Sequence, residues 1–342
     1  MYQNYPDRLN LLLRPQQHGR YSVLDLFAGC GGLSLGFEAQ GFEVAGFEMD
    51  AKAVETYNHN LTGHCFSEKL TEKTAFEQNY DVVIGGPPCQ PFSVGGHQKG
   101  LDDERNGFPV FMAAIDQIKP KLWMFENVRG MLYSNKWYLE EIMAQLREMG
   151  YRIEYRLLNA VKYGVPQNRE RLFVVGHHGH FLFPRPDSRL FMVEDAIGDL
   201  IEKTEDESKI LTPSMDRYVA NYERASSCVN PRDLYLNKPA RTLTCRNIAA
   251  PTGDMQRVRL EDGRRRRISI REAARLQSFP DWFEFFGTET NQYYQIGNAV
   301  PPMLAYHLAG SISAHLSEQS EGFLPNALEN HAQMSGYQAT LF

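Results

Sequence analysis

Apolar positions along the first half of the chain fall into short runs that alternate with helical patterns. Runs at 22–27, 43–48, 81–85 and 122–126 read as strands, with helices predicted over 33–40, 51–58 and 108–118 between them. A further helix at 137–149 precedes strands at 152–158 and 171–176. This alternation predicts an α/β fold built on a doubly wound, mostly parallel sheet. After His180 the alternation stops, and an Arg- and Pro-containing irregular stretch runs to about 284. From Tyr293 a polar segment leads into an apolar helix predicted over 303–316, whose start tolerates Pro301 and Pro302. We therefore expect a catalytic and cofactor-binding unit at 1–180, a smaller, irregular unit at 181–284, a returning segment at 285–316 and a polar tail at 317–342.

Two strand ends carry chemistry. The run at 81–85 opens into Pro87-Pro88-Cys89-Gln90, a thiol on a stiffened loop, and the run at 122–126 ends in Glu126-Asn127-Val128. Ligands of open α/β sheets sit at the carboxyl ends of strands. A nucleophile and an acid at that edge imply covalent catalysis on a substrate that needs protonation. The first strand runs into the glycine-rich turn Gly29-Cys30-Gly31-Gly32, and Glu48 ends the next strand about 20 residues on, where an acid can accept from ribose hydroxyls. Ser34 stands where a dinucleotide fingerprint needs its third glycine, so a nucleoside without phosphates, such as S-adenosylmethionine, suits the loop better than NAD. Cys30 reads as a small packing residue.

Composition and charge refine this picture. With 342 residues, 42% hydrophobic and 23% charged, the chain is ordinary for a soluble globular protein. No apolar stretch reaches the roughly 20 residues of a membrane span, and 1–17 lacks a signal-peptide pattern, so no membrane and a cytoplasmic location are expected. The five cysteines form no Cys-x-x-Cys pair, which argues for reduced thiols and against a zinc site; His177, His178 and His180 read as a polar turn. The net charge of −6 is unevenly spread: between Arg232 and Arg275 twelve Lys or Arg stand against five acids, giving that stretch +7. Such a stripe on an acidic body can attract a polyanion at one face. For Arg264 to Arg267 alone, a solvated loop explains the run equally well.

Taken in order, Asp25 to Gly32, Glu48-Met49-Asp50, Gly86-Pro87-Pro88-Cys89-Gln90-Pro91-Phe92-Ser93, Glu126-Asn127-Val128, Gln167-Asn168-Arg169-Glu170-Arg171, the run from Arg271 to Pro280 and Gly297-Asn298-Ala299-Val300 resemble the motif set of the DNA cytosine-5 methyltransferases, in its prokaryotic form. The likeness spans nearly the whole chain. It departs at Cys65 to Leu70, before the third strand, where Ser67 or Glu68 would have to replace an acid that meets the adenine amino group, so that contact is left unassigned, and at Arg105-Asn106-Gly107-Phe108-Pro109.

The resemblance implies S-adenosyl-L-methionine as methyl donor, S-adenosyl-L-homocysteine as product, and a target cytosine rotated out of duplex DNA. It implies Cys89 as the thiolate that adds at C6 and Glu126 as the acid on N3 and the exocyclic amine. Arg171 would contact the base carbonyl, and Arg169 would support the site or a phosphate, the two sharing one face of a strand. The cofactor face would comprise Phe27 on adenine, the backbone of Gly29, Gly31 and Gly32, Glu48 on the ribose, Met49, Pro88, Asn298 and Val300. Asn298 would serve equally as a structural tie to the Arg169 strand. For the DNA we expect phosphate or base contacts from Gln90, Ser93, Arg241, Thr242, Thr244, Arg246, Asn247, Arg257 and Arg259. The partners expected are duplex DNA and a cognate restriction endonuclease whose existence the residues do not decide; a monomer is expected, since an asymmetric site needs no second subunit. A tRNA cytosine-5 methyltransferase and a non-catalytic DNA-binding regulator are the alternative readings.

Overall fold

Strand residues of alternating orientation build one sheet with two buried faces. In the computed structural model, which describes residues 4–16, 19–76, 79–88, 106–203, 206–225, 232–249 and 254–320, the order is α1 (Tyr5–Leu12), β1 (Ser22–Leu26), α2 (Gly32–Glu38), β2 (Glu43–Glu48), α3 (Ala51–Asn60), β3 (Cys65–Ser67), β4 (Val82–Gly85), α4 (Phe108–Ile118), β5 (Leu122–Val128), α5 (Lys136–Glu148) and β6 (Arg152–Asn159). Then follow β7 (Gln167–Asn168), β8 (Glu170–His177), α6 (Val193–Ile197), α7 (Pro213–Ala225), β9 (Ala240–Arg241), α8 (Cys245–Ile248), β10 (Arg257–Arg259), β11 (Arg265–Arg267), α9 (Ile270–Leu276), α10 (Glu289–Asn298) and α11 (Pro302–Ser320).

The seven-stranded sheet has the order β3-β2-β1-β4-β5-β8-β6. β1 to β5 are parallel, and β8 runs antiparallel to both β5 and β6. The expected doubly wound, mostly parallel sheet is thus present. Val23, Val82, Ile84, Met124 and Phe173 face a core shared with α2, α3 and α11. Their neighbours Leu24, Val83, Trp123, Phe125 and Leu172 face α4 and α5 on the other side. Each such side chain contributes roughly 1.5–3 kcal/mol through burial. The winding reverses between β1 and β4, which opens a crevice at their carboxyl ends. The glycine turn after β1 and the Pro87-Pro88 loop after β4 both leave the sheet there.

The second half is more regular than its sequence suggested. α9 starts at a reciprocal cap in which Ser269 Oγ accepts from the Glu272 amide while Glu272 Oε2 accepts from the Ser269 amide, at 3.2 and 2.7 Å. β10 and β11 form an antiparallel ribbon in which Arg257 faces Arg267, and β9 pairs with β7 in parallel, Asn168 opposite Arg241. Gly297 and Asn298 close the last turn of α10. The stretch Cys65 to Ser67 forms the third strand itself, not its approach, and sets Ser67 opposite Glu48. Among the described residues no helix is long and apolar enough to cross a membrane.

Candidate active site

The turn after β1 needs backbone shapes that few residues tolerate. Phe27 and Gly29 have φ of 62° and 56°, and Gly31 has φ of 88° with the Tyr57 ring where a Cβ would project. A half-buried phenylalanine in the left-handed region marks a strained position of the kind found at ligand sites. Glu48 reaches across from the end of β2. Its Oε2 accepts from the Gly29 amide at 3.0 Å, and its Oε1 from the Met49 and Asp50 amides at 2.8 Å. The carboxylate is thereby held at the crevice beside Met49, which is 70% exposed. On the far side Gly32 packs under the Val300 carbonyl, and Asn298 is exposed. The Arg169 strand is tied to this segment through the backbone carbonyls of Gly297 and Ala299, not through the Asn298 side chain.

Beneath the turn lies a polar pair that the sequence reading gave no role. Asp25 is buried, its Oδ2 accepting from Ser34 Oγ at 2.6 Å, while its Oδ1 has no hydrogen-bond partner among the described residues. Burial, partly offset by Ser34, pushes its carboxyl up to about 7. The folded protein therefore binds this proton more tightly than the unfolded chain, so the stability that Asp25 contributes is fully present below about pH 4 and is lost as pH rises toward 7. Asp25→Asn is expected to flatten that decline. Melting temperatures of both proteins from pH 4 to 8 check it; a constant offset between them contradicts it. Cys30 is buried with its thiol pushed up to about 12 by desolvation, as a packing residue requires.

At the ends of β4 and β5 a second group of side chains converges. Asn127 Nδ2 donates to the Pro87 carbonyl at 3.0 Å, and Pro88 accepts from the Gly107 amide at 3.0 Å, fixing the loop that leads to Cys89. Cys89, Gln90 and Ser93 themselves lie outside the described residues. Glu126 is half-buried and paired with Arg171 Nε at 2.9 Å, both side chains 14% exposed. Arg171 Nη1 also donates to the Glu170 carbonyl at 2.8 Å, so two of its guanidinium nitrogens are engaged. The Phe27 ring lies near Gly107 and Pro88, linking the two groups.

Arg169 does not share a face with Arg171. It stands at the break between β7 and β8, is buried, and donates to the carbonyls of Leu243, Gly297 and Ala299 at 2.7, 3.2 and 3.0 Å. Burial, then the nearby Arg171 cation, lowers its pKa, and those three carbonyls offset the cost. Gln167 and Gln277 complete the tie. Gln167 Nε2 donates to Gln277 Oε1 at 2.5 Å, and Gln277 Nε2 donates to the carbonyls of Ile296 and Ala299 at 3.0 and 2.7 Å. Both glutamines fall within the motifs noted above, but nothing in their spacing announced that three segments meet on them.

The basic stripe is largely neutralised. Nine of its twelve cations lie within 4.0 Å of a carboxylate, and four of the acids, Asp199, Asp216, Glu223 and Asp281, come from outside it. Arg257, expected to read bases, is fully buried and paired with Glu223 at 2.6 Å and Asp233 at 2.8 Å. Asn247, also expected at the DNA, is 4% exposed and caps α8, accepting from the Thr244 amide at 2.9 Å and donating to the Thr242 carbonyl at 3.0 Å. Of Arg264 to Arg267, Arg264 stays in an exposed turn beside Asp262, whereas Arg265 pairs with Asp216 and Arg266 with Glu272, both guanidiniums buried, so the run is not a free patch. Arg246 is exposed, and Arg259 is exposed but paired with Asp233 at 3.1 Å. Thr242 Oγ1 donates to the Asn168 carbonyl at 2.7 Å and borders a cleft of about 540 Å³ together with Val128, Arg129, Glu170 and Arg171. No group of three or more His, Cys, Asp or Glu able to hold a metal ion occurs among the described residues.

Comparison with known proteins bears on the family and the fold. The C-5 cytosine-specific DNA methylase family matches residues 21–314. The type II methyltransferase M.AplI of Arthrospira platensis is 53% identical over 299 residues, covering 87% of each chain, and M.FnuDI of Fusobacterium nucleatum is 35% identical over 87% of this chain and 96% of its own. Among solved structures, a DNMT2 variant from Spodoptera frugiperda superposes with a TM-score of 0.67 at 20% identity, over 86% of this chain and 99% of its own. The S. pombe Dnmt2 methyltransferase gives 0.65 at 19%, over 90% and 100%. At these identities the structural likeness speaks for the fold alone. With a family match across most of the chain and a relative sharing half its residues, the chain belongs to the C-5 cytosine-specific DNA methylases and is a DNA cytosine-5 methyltransferase.

Proposed function

We propose that the protein transfers a methyl group from S-adenosylmethionine to C5 of a cytosine rotated out of duplex DNA, through a covalent bond between Cys89 and C6. The observation that carries this reading is the Glu126–Arg171 pair at the carboxyl end of β5, with Asn127 gripping the Pro87 carbonyl two residues before the thiol. Cytosine C5 is too weak a nucleophile to take a methyl group from a sulfonium. Addition of the Cys89 thiolate at C6 makes C5 an enamine carbon, and a proton supplied or shared by Glu126 at N3 neutralises the charge that develops. Arg171 positions that carboxyl and presents its remaining N–H groups toward the base carbonyl. After methylation, loss of the C5 proton and of the thiolate restores the aromatic ring.

The residues at the crevice suit the cofactor. Beyond Gly29, open space lies where a Cβ would project, so a ligand can approach its backbone. Glu48 stands at the ribose position, Phe27 and the exposed Met49 offer apolar surface to adenine, and Pro88, Gly31, Gly32, Asn298 and Val300 complete the walls. S-adenosylmethionine bound there supplies an electrophilic methyl group. Arg169 acts in this reading as the support for the site, not as a phosphate ligand.

On the DNA side, Arg241, Thr242, Thr244, Arg246 and Arg259 remain the proposed contacts, with Gln90 and Ser93 beside the thiol. The type II names of the relatives support a sequence-specific enzyme working beside a cognate endonuclease. The test is trapping on a duplex with 5-fluorocytosine at target positions. Fluorine cannot leave as the C5 proton does, so the Cys89 adduct should persist through denaturing electrophoresis when S-adenosylmethionine is present. Absence of a denaturation-stable complex on a duplex whose unfluorinated form is methylated would overturn the covalent mechanism.

A further inference from the structure

We propose that Arg129 is a phosphate-anchoring residue at the mouth of the active site and that Glu170 holds it in place until DNA displaces the carboxylate. This rests on the reading above, in which the cleft beside Glu126 receives the strand carrying the target base. Arg129 comes three residues after Glu126, directly after β5, at the start of the turn that follows. Its Nη1 donates to Glu170 Oε2 at 2.8 Å, and its guanidinium lies 5.4 Å from the Tyr133 ring, which supports the stem from the outer side. Both partners are open to solvent, 59% and 38% exposed, and both line the cleft of about 540 Å³ with Asn159, Asn168, Arg171 and Thr242.

Three features set this pair apart from an ordinary surface contact. First, it is the neighbour of the Glu126–Arg171 pair: Glu126 lies near the end of β5 and Arg129 just after it, Glu170 and Arg171 begin β8, and the two carboxylate–guanidinium contacts cross between these segments. Second, Arg171 is committed to Glu126 and to the Glu170 carbonyl, so Arg129 is the cation of this cleft whose whole fork can turn to an incoming anion. Third, an exposed ion pair is worth little and exchanges readily, whereas a backbone phosphate offers the same bidentate geometry and the same single charge within a polyanion whose binding releases counterions. The carboxylate is thus a placeholder: it keeps the guanidinium extended over the cleft and gives it up to a backbone phosphate of the entering strand.

The experiment is a double-mutant cycle on the full chain, Arg129→Ala, Glu170→Gln and the two combined. Its probe is short duplexes cut from unmethylated DNA around the site the enzyme methylates, with S-adenosylhomocysteine present. Arg129→Ala is expected to raise Kd about tenfold and to make the slope of log K against log salt shallower by about 0.9, the signature of one lost phosphate contact. Glu170→Gln is expected to lower Kd several-fold, and to do nothing in the Arg129→Ala background, because it acts only by freeing Arg129. S-adenosylhomocysteine affinity and melting temperature should stay at wild-type values in all three, which separates the effect from misfolding. An unchanged salt slope in Arg129→Ala, or an equal gain from Glu170→Gln with and without Arg129, would overturn the proposal and leave duplex methylation intact. A wild-type protein that binds no duplex would instead remove the reading on which it rests.

Discussion

Cys89→Ala is expected to abolish methyl transfer, with turnover falling at least about ten-thousandfold, because general acid help to an unactivated ring supplies no enamine carbon. Binding should survive. The crevice proposed for the cofactor is built from β1, β2 and α10 and does not depend on that thiol, so S-adenosylhomocysteine affinity should change by less than about twofold. DNA affinity should hold or rise, since the alanine variant retains every proposed phosphate contact. Glu126→Gln should behave differently. It keeps a hydrogen-bonding group opposite Arg171 but loses the proton, so the adduct with 5-fluorocytosine should form more slowly rather than vanish. Equilibrium binding and single-turnover transfer, measured on all three proteins, check this. Residual turnover in Cys89→Ala within a hundredfold of wild type would mean that another group activates the ring.

The second large effect concerns stability. Arg257→Ala is expected to destabilise the folded protein by about 3–5 kcal/mol, since it leaves Asp233 and Glu223 facing a vacated, water-poor space without their cation. Arg265, 3.6 Å from Asp233 and 3.8 Å from Glu223, reaches both acids and limits the loss toward the lower figure. A base-reading arginine would behave otherwise: its removal would leave the unfolding curve in place and weaken binding at one position of the target site. Urea denaturation of the variant beside duplex titration separates the two outcomes. A stability loss under about 0.5 kcal/mol with relaxed sequence preference would return Arg257 to the DNA interface.

The contrast between those two residues shows what the chain discloses in one dimension. Strand ends are local facts: an apolar run stopped by Glu126, or a glycine turn after Leu26, projects chemistry at the sheet edge wherever the strands lie, and β2 and α4 fall at the predicted bounds. Arginine roles are not local. Arg257 and Arg265 meet Asp216 and Glu223 from α7, Arg275 meets Asp199 and Asp281, and no spacing rule links those positions. Alternation also misled at Arg169, because the break between β7 and β8 interrupts the pleat that would have aligned it with Arg171. The α9 start was missed although Ser269 and Glu272 carry the spacing of a reciprocal cap, because the surrounding arginines read as irregular chain. β3 has three residues and one buried side chain, too little for a periodic signal.

The family, the fold and the sheet edge therefore follow from motifs and packing together, whereas the chemistry proposed for Cys89 and Glu126 rests on the motifs that carry them and on the Glu126–Arg171 pair beside the Pro87-Pro88 loop. The most direct test is transfer of radiolabelled methyl from S-adenosylmethionine to unmethylated duplex DNA, with bulk tRNA in parallel and the products digested to nucleosides. The account predicts label in 5-methylcytosine from the duplex, absent with Cys89→Ala. Label confined to tRNA, or to another nucleoside of the duplex, would contradict it.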